Sequence, residues 1–348
     1  MKPQRRYRAF LLSLLVYLAG SAPLHAQQGT LLTANREGGS LSFVDLPSAV
    51  EIARIPIGPV IPHEVHVSPD GRSAVTTEYG SPGNPGRHLL LIDIASAAVV
   101  ARIDLGADSR PHTARYLPDG RHVVATMENL DQVALVDLET GQVIKKFETG
   151  GREGHMVRVS PDGSRAYVTS RRGTGTLSVI FLEQQRDPVV IQTGPGAEGI
   201  AVTADGSEVW VANRGEDTIS VIDTSSLEIK TTLPSRPYPG RIAMSPDGQY
   251  AIVPNGGFAA ATPNYLRLYD ANSHEVLGEI PLRDGSAQNA LFGVLIRDNR
   301  VFVSDAMNGT VRVFSLPDLS LEQTLLQSHE APDGLGWSPQ RIEVMQAR

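Results

Sequence analysis

Three histidines occupy the same position in a repeated segment of the sequence. His63, His112 and His155 each lie seven residues before an aspartate that belongs to a recurring turn. Imidazole nitrogens are common ligands of zinc, copper and iron, and three of them would leave a coordination position open for a substrate. The spacing therefore raises a divalent transition metal as one candidate cofactor, with His63, His112 and His155 as its ligands.

Basic residues accompany the histidines at a second repeated position. Four residues before the same aspartates the chain carries His66, Arg115 and Arg158. Guanidinium groups bind carboxylates and phosphates in a bidentate manner, and a histidine beside them can act as a general acid or base. The same residues therefore also fit a site for an anionic small molecule.

Acidic residues complete the candidate site. Glu198 and Asp333 fall in the register of the three histidines in later repeats, and Glu78 lies near the end of a neighbouring strand. A third interpretation needs no ligand, because the histidines would hydrogen-bond to adjacent loops and fill the mouth of a channel. All three interpretations stay open at the level of the sequence. The candidate ligand-binding residues are His63, His66, Glu78, His112, Arg115, His155, Arg158, Glu198 and Asp333.

The aspartates that define these registers belong to the turn motif Ser-Pro-Asp-Gly. The motif occurs, intact or altered, at residues 68–71, 117–120, 160–163, 203–206 and 245–248, with degenerate copies at 297–299 and 338–340. Successive copies are separated by 42 to 51 residues. A period of this length is typical of repeat architectures such as propellers.

Each repeat predicts four short strands. In the clearest repeat, Val209–Ala212 and Ile219–Ile222 are apolar runs rich in β-branched residues, and turn residues lie between and around them. Such runs, bounded by Gly, Asp and Ser, indicate strands and hairpins. Seven such repeats predict an all-β fold, a seven-bladed β-propeller of four-stranded antiparallel blades.

The two ends of the chain are predicted to close the ring together. Leu31–Asn35, Ser40–Asp45 and residues 50–57 match the second, third and fourth strands of a repeat, but no innermost strand precedes them. Asp333–Ser338 at the other end matches that missing strand. Residues 27–348 are therefore expected to form a single propeller domain whose last blade contains both N- and C-terminal strands.

The repeat resembles the YVTN-type β-propeller repeat of bacterial extracytoplasmic proteins. The matching residues are the Pro-Asp-Gly turn, then Val209–Asn213 where that family has Tyr-Val-Thr-Asn, then Ser220–Thr224. The resemblance covers about residues 30–340. It implies the fold and an extracytoplasmic location, but it does not imply a chemistry, because one fold hosts many functions.

Residues 1–26 have the pattern of a secretory signal peptide. Basic residues between Lys2 and Arg8 precede the apolar run Ala9–Ala19, and a small residue, Ala26, ends the segment. This apolar run is too short to span a membrane, and it predicts a periplasmic or secreted protein with no membrane span after cleavage.

Charge and composition limit the partners. Without the four basic residues of the signal segment, 27 Lys and Arg remain against 38 Asp and Glu, a net charge of −11. This argues against nucleic acid as a partner. The sequence has no cysteine, so disulfides are excluded. We expect a monomer whose partner is a small molecule or another periplasmic protein.

Two classes of function fit these observations. The first is a periplasmic binding or accessory propeller that holds a small ligand or a metal at the loop-rich face of its central channel. The second is an enzyme that resembles the seven-bladed lactonases and related lyases, which use His, Arg and Glu around the propeller axis. Under that resemblance His155, Arg158, Glu198 and Arg214 are the catalytic candidates.

Overall fold

Seven four-stranded antiparallel sheets surround a central channel in a computed structural model of the chain. The structure describes residues 28–58, 61–81, 83–256, 264–282, 291–326 and 330–342. Each sheet is one blade, with its innermost strand at the channel. The seven-bladed propeller predicted from the sequence is confirmed. The predicted signal peptide at residues 1–26 lies outside the described residues.

In blades I to VI the strands run in chain order from the innermost to the outermost, and blade VII takes its innermost strand from the end of the chain. The chain begins with β1 (Thr30–Asn35), β2 (Ser40–Asp45) and β3 (Val50–Pro56), the three outer strands of blade VII. Blade I contains β4 (Val65–Val67), β5 (Ser73–Thr77), β8 (His88–Asp93) and β9 (Ala98–Asp104). A small hairpin, β6 (Gly80–Ser81) and β7 (Asn84–Pro85), lies in the loop between β5 and β8.

Blades II to IV follow along the chain. Blade II contains β10 (Ala114–Tyr116), β11 (His122–Met127), a single 3-10 turn (Glu128–Leu130), β12 (Gln132–Asp137) and β13 (Gln142–Glu148). Blade III contains β14 (Gly154–Val159), β15 (Arg165–Ser170), β16 (Thr176–Phe181) and β17 (Val189–Gln192). Blade IV contains β18 (Ala197–Val202), β19 (Glu208–Asn213), β20 (Thr218–Asp223) and β21 (Glu228–Pro234).

The remaining strands complete the ring. Blade V contains β22 (Ala243–Met244), β23 (Tyr250–Asn255), β24 (Tyr265–Asp270) and β25 (Val276–Pro281). Blade VI contains β26 (Leu291–Arg297), β27 (Arg300–Asp305), β28 (Thr310–Ser315) and β29 (Leu321–Leu326). The last strand, β30 (Pro332–Ser338), is the innermost strand of blade VII. No helix in the described part of the chain is long and apolar enough to cross a membrane.

The Ser-Pro-Asp-Gly turns explain why the innermost strand of a blade reverses into the second. In blade III, Ser160 Oγ donates to Asp162 Oδ1, and the backbone N–H of Ser164 donates to the same oxygen at 3.0 Å. Gly163 has a φ of 75°, which a residue with a side chain rarely adopts. A Cβ at Gly163 would also lie 3.0 Å from the Pro118 ring of the preceding blade. The motif thus forms the turn and packs consecutive blades against each other.

The same contact closes the ring. A Cβ at Gly71 in blade I would lie 2.4 Å from Pro339, which follows β30 of blade VII. Ser338 Oγ donates to the Gly71 carbonyl at 2.6 Å. β30 pairs antiparallel with β1, and Thr30 lies opposite Ser338. The predicted closure of the last blade by both ends of the chain is therefore confirmed.

The hydrophobic core lies between neighbouring blades. Trp210 of blade IV is completely buried and meets Tyr269 of blade V edge to face, with ring centroids 5.9 Å apart. Similar buried clusters join the other pairs of adjacent sheets. Because each blade buries both of its faces against neighbours, the loops at the channel ends are held on a rigid frame.

Candidate functional site

A cavity of about 270 Å³ occupies one end of the channel, and we call it the axial cavity. Two kinds of segment build it: those that enter the innermost strands and those that follow the second strands of the blades. Its lining residues are Arg36, His63, Tyr79, Arg110, His112, His155, Arg171, Glu198, Arg214, Arg241 and Asp333. The structure thus brings His63, His112, His155, Glu198, Arg214 and Asp333 of the sequence-based candidates together.

The three histidines lie in a row of tilted rings in the axial cavity, which we call the histidine stack; the ring planes of His112 and His155 meet at 36° and those of His63 and His112 at 50°. The ring centroids of His112 and His155 are 3.6 Å apart, and those of His63 and His112 are 4.8 Å apart. Tyr79 packs edge-on against both His63 and His112. Burial lowers the pKa of His63, although Asp333 acts in the opposite direction. Burial, followed by the charges of the neighbouring histidines, lowers the pKa of His112 well below its ordinary value.

This stacking does not create a metal site. A metal ion would need one in-plane lone pair from each imidazole directed at a common point. Both nitrogens of His155 already face carboxylates, with Nδ1 2.9 Å from Glu128 and Nε2 3.2 Å from Glu198. Within the described residues, no group of three or more His, Asp or Glu side chains is placed to hold a metal ion. The proposed metal ligands His63, His112 and His155 are neighbours without forming a coordination sphere.

Glu128 contacts the histidine stack through His155 Nδ1, 2.9 Å away. It is not among the residues that the sequence predicted for the site. The 3-10 turn after β11 directs its side chain inward, where it is completely buried. Tyr79 Oη donates to Glu128 Oε1 at 3.0 Å, and Arg110 Nη1 and Arg171 Nη2 lie 2.8 and 3.0 Å from the same oxygen. Burial acts to raise the pKa of Glu128, but His155 and the two arginines outweigh it and set the pKa at about 2. Glu128 is therefore a buried anion that fixes four residues of the cavity, Tyr79, Arg110, His155 and Arg171.

Glu198 holds the opposite wall. Its carboxylate lies 3.2 Å from His155 Nε2 and 3.2 Å from Arg241 Nη1, and Arg214 Nη1 is 3.5 Å away. Burial acts to raise the pKa of Glu198, but His155, Arg241 and Arg214 lower it well below its ordinary value. Glu198 is thus an ionised, multiply paired group instead of a free acid or base.

Arg241 closes the floor of the axial cavity, and it also lines a second cavity deeper in the channel. Its guanidinium lies 2.9 Å from Glu64 as well as 3.2 Å from Glu198. Burial would lower the pKa of Arg241, but the two carboxylates raise it. The second cavity has a volume of about 310 Å³ and extends to the Ser-Pro-Asp-Gly turns, where Pro161 and Ala204 line it. We call it the turn-side cavity.

Three candidates belong to this deeper region and not to the histidine stack. Arg115 and Arg158 line the turn-side cavity beyond Arg241. His66 Nδ1 accepts a hydrogen bond from the Tyr116 backbone, and burial and the charges of the two arginines lower its pKa well below the ordinary value. The expectation that all these basic residues share one channel mouth is therefore corrected. The catalytic set His155, Arg158, Glu198 and Arg214 is likewise not assembled in one cavity, since Arg158 does not line the axial one.

Glu78 does not line either cavity. Its carboxylate pairs with Arg102 and lies 2.6 Å from His88 Nδ1 on the neighbouring outer strands. The residue that reaches the cavity from this loop is Tyr79, whose backbone N–H donates to the Ile61 carbonyl at 3.1 Å. Because successive residues at the end of a strand point in different directions, a shift of one position separates Glu78 from the site.

The position one residue after that of Glu78 in each repeat contains most of the cavity residues that the sequence analysis did not name. Residues nine positions after the turn aspartates are Tyr79, Glu128, Arg171 and Arg214. All four line or support the axial cavity. The preceding position contains Asn213 and Asn255, whose side-chain amides are used within the blades, for example between Asn213 Nδ2 and Ser220 Oγ at 2.9 Å. Arg36 occupies the equivalent place after β1.

Comparison with known proteins gives partial matches. Residues 120–243 match the model of the cytochrome D1 heme domain family. The uncharacterized protein YncE of Salmonella typhi is 24% identical over 123 residues, which cover 34% of this chain and 34% of YncE. Antigen Lp49 of Leptospira interrogans is 24% identical over 203 residues, which cover 53% of this chain and 43% of Lp49. The matches thus span less than half the length of these relatives.

Solved structures show the same architecture over a larger part of the chain. Kuenenia stuttgartiensis hydrazine synthase superimposes with a TM-score of 0.70 and 17% identity, covering 80% of this chain and 90% of that one. A functionally unknown protein from Desulfotomaculum acetoxidans superimposes with a TM-score of 0.72 and 15% identity, covering 89% and 99%. The chain shares their propeller fold. At these identities the likeness concerns the fold alone.

Proposed function

We propose that this protein is an extracytoplasmic propeller that binds a small, polar organic anion in the axial cavity. The proposal rests on where the charged side chains lie in the site: arginines near its solvent-exposed end are more exposed than the carboxylates. Arg36, Arg171 and Arg214 are 26%, 27% and 31% exposed, whereas the side chains of Glu128 and Asp333 are fully buried and that of Glu198 is 8% exposed. An incoming ligand therefore meets guanidinium groups first.

The charge balance points in the same direction. Five arginines and two carboxylates line the axial cavity. Glu128, Glu64 and Glu153 pair with Arg110, Arg241 and Arg171 from outside the lining, so the excess of positive charge is confined to the surface of the cavity itself. Arginines on a rigid scaffold are well suited to hold carboxylate, sulfate or phosphate groups, because their planar forks match those oxygens in a bidentate manner.

The histidine stack supplies further hydrogen-bonding capacity below the arginines. His112 is 1% exposed, and its Nδ1 has no hydrogen-bond partner among the described residues. A buried polar atom without a partner is rare in a folded protein and marks a place that a ligand or a water molecule satisfies. The cavity of about 270 Å³ limits the ligand to a few carbon atoms with polar ends.

The name of the matching domain family raises the question of a haem, and the residues present do not fit one. An axial haem ligand needs an accessible imidazole nitrogen. His155 has none, because Glu128 and Glu198 lie at both of its nitrogens. The axial cavity bounded by the described residues has a volume of about 270 Å³, below the usual range for small-molecule sites, and five arginines line it. We therefore derive no chemistry through a haem.

Binding fits the geometry better than turnover of the lactonase or lyase type. A general base needs a free lone pair within reach of the substrate. Both nitrogens of His155 lie at Glu128 and Glu198, Glu198 is also paired with Arg241, and Arg158 lies in the other cavity. The signal-like segment at residues 1–26 supports a periplasmic or secreted location. We further propose that the protein is a monomer and that it passes its ligand to, or acts together with, another periplasmic protein.

Calorimetric titration with acetate, succinate and sulfate tests this proposal. We expect the divalent anions to bind more tightly than acetate, and the double variant Arg171→Gln/Arg214→Gln to weaken their binding at least tenfold. Arg87→Gln is the matched control, since Arg87 pairs with Asp104 on the outside of the ring. Equal binding by the double variant and the parent, or no binding of any anion, would overturn the proposal.

A further inference from the structure

The turn-side cavity combines a basic wall with an apolar wall. Arg115 and Arg158 come from two consecutive blades, each four residues before a turn aspartate. The same position in the next three blades contains Ala201, Ala243 and Val294, which line the cavity from other sides. Blades IV to VI thus contribute hydrocarbon surface where blades II and III contribute charge.

The two arginines are not neutralised by the protein. In the described part of the chain neither guanidinium has a carboxylate within ion-pair distance, and Arg115 Nε has no hydrogen-bond partner. Arg158 Nη1 donates to the Val157 carbonyl at 3.1 Å. The Glu64 carboxylate, whose charge acts on both arginines, is bound to Arg241 at 2.9 Å.

Two like charges held together in a confined cavity require a counter-ion. Burial, and for Arg158 the charge of Arg115, lowers the pKa of both guanidinium groups. An anion between them would remove this repulsion and satisfy Arg115 Nε. Glu64 and Arg241 are already paired with each other, and the walls from blades IV to VI otherwise present mainly apolar side chains, Thr203 apart, so a hydrocarbon part suits the rest of such a ligand.

We propose that the turn-side cavity binds a monocarboxylate with a medium-length aliphatic chain. The carboxylate would bind between Arg115 and Arg158, and the chain would pack on Ala243, Met244 and Val294. The volume of about 310 Å³ is at the lower end for small-molecule sites and suits a medium-length chain. The ligand enters from the face of the Ser-Pro-Asp-Gly turns, since Pro161 and Ala204 form the outer part of the lining.

This site is independent of the anion site proposed for the axial cavity. Arg241, bound to Glu64 and Glu198, lies between the two cavities and lines both. A hydrophilic dianion suits the charged axial cavity, whereas an amphiphilic monoanion suits the turn-side cavity. Either proposal can fail while the other holds.

Calorimetric titration with butanoate, hexanoate, octanoate and octan-1-ol tests the inference. We expect affinity to rise by about three- to fourfold for each added methylene until the chain fills the cavity. Octan-1-ol, which lacks the charge, should bind at least tenfold more weakly than octanoate. The double variant Arg115→Gln/Arg158→Gln should weaken octanoate binding at least tenfold and leave sulfate binding unchanged.

Three variants keep the test decisive. Arg72→Gln is the matched control, because Arg72 is exposed on the same face outside the cavity. Ala243→Leu fills the apolar wall without altering a charge and should weaken octanoate more than butanoate, which decides the matter if the double variant fails to fold. Arg171→Gln/Arg214→Gln should retain octanoate binding. The proposal is overturned if octanoate binding is absent from the parent, is equal in the double variant, shows no dependence on chain length, or is lost with the axial arginines instead.

Discussion

Arg241 and Glu64 form an ion pair across the central channel, with Nη2 and Oε1 2.9 Å apart although 177 residues separate them in the chain. Arg241 precedes the innermost strand of blade V, and Glu64 precedes that of blade I. Both side chains are largely buried, at 6% and 9% exposure. A single arginine therefore ties distant blades together and divides the channel into two cavities.

Removal of Arg241 should destabilise the protein strongly. In Arg241→Met, Glu64 and Glu198 become buried carboxylates that lose a principal partner, and breaking such a buried pair costs about 3–5 kcal/mol. We expect a lower free energy of unfolding in urea, and partial recovery in Arg241→Met/Glu64→Gln. Arg87→Gln, on the outside of the ring, should change stability by less than about 1 kcal/mol. An Arg241→Met variant as stable as the parent contradicts this role.

Acid should weaken the protein through Glu128. Its pKa is about 2 in the folded state against an ordinary value of 4.5, so its contribution to stability is complete above pH 4.5 and is lost as pH falls toward 2. The free-energy difference between the parent and Glu128→Gln should therefore shrink by about 2 kcal/mol between pH 5 and pH 3. Glu183→Gln, at an exposed position, controls for the loss of one negative charge. A difference that stays constant over this range rejects the prediction.

Anion binding in the axial cavity should become tighter as pH falls from 8 to 5. The pKa values of His63 and His112 are lowered by burial in the free protein, and a bound anion stabilises their protonated forms. Binding then takes up protons, and affinity rises by up to tenfold per pH unit for each proton. Sulfate is the suitable probe because it does not titrate in this range. His112→Gln should flatten the dependence, whereas a metal site would show the opposite sign, since metals need neutral imidazole.

The fold could be predicted from the sequence because its determinants are local. Each Pro-Asp-Gly turn needs a carboxylate acceptor and a residue with positive φ. In blade III, Asp162 is the acceptor and the next residue, Gly163, has the positive φ. The spacing of the turns then gives the number of blades. The closing strand Pro332–Ser338 was recognised because the first repeat lacks its innermost strand.

The candidate site is only partly predictable from the sequence, because residues at different repeat positions lie at different heights along the channel. The register of His63 and that of His66 differ by three residues, which corresponds to about 10 Å along a strand. Residues of the two registers therefore reach different cavities. Arg241 lies one residue after the position that the histidines occupy in their repeats, and Glu128 lies one residue after the position that Glu78 occupies. Their importance comes from partners in other blades, which no local pattern reveals.

Replacement of Arg158 by methionine should raise the stability of the ligand-free protein. Burial and the charge of Arg115 lower the pKa of Arg158, so the charged form is less favourable in the folded than in the unfolded state. Methionine keeps much of the length of the side chain, suits the apolar neighbours Ala201 and Ala243, and removes the repulsion. We expect a melting temperature a few degrees above that of the parent in the absence of carboxylates, together with weaker octanoate binding. Arg72→Met on the exposed surface serves as the control and should change neither quantity. If Arg158→Met is less stable than the parent, Arg158 stabilises the fold and is not reserved for binding an anion.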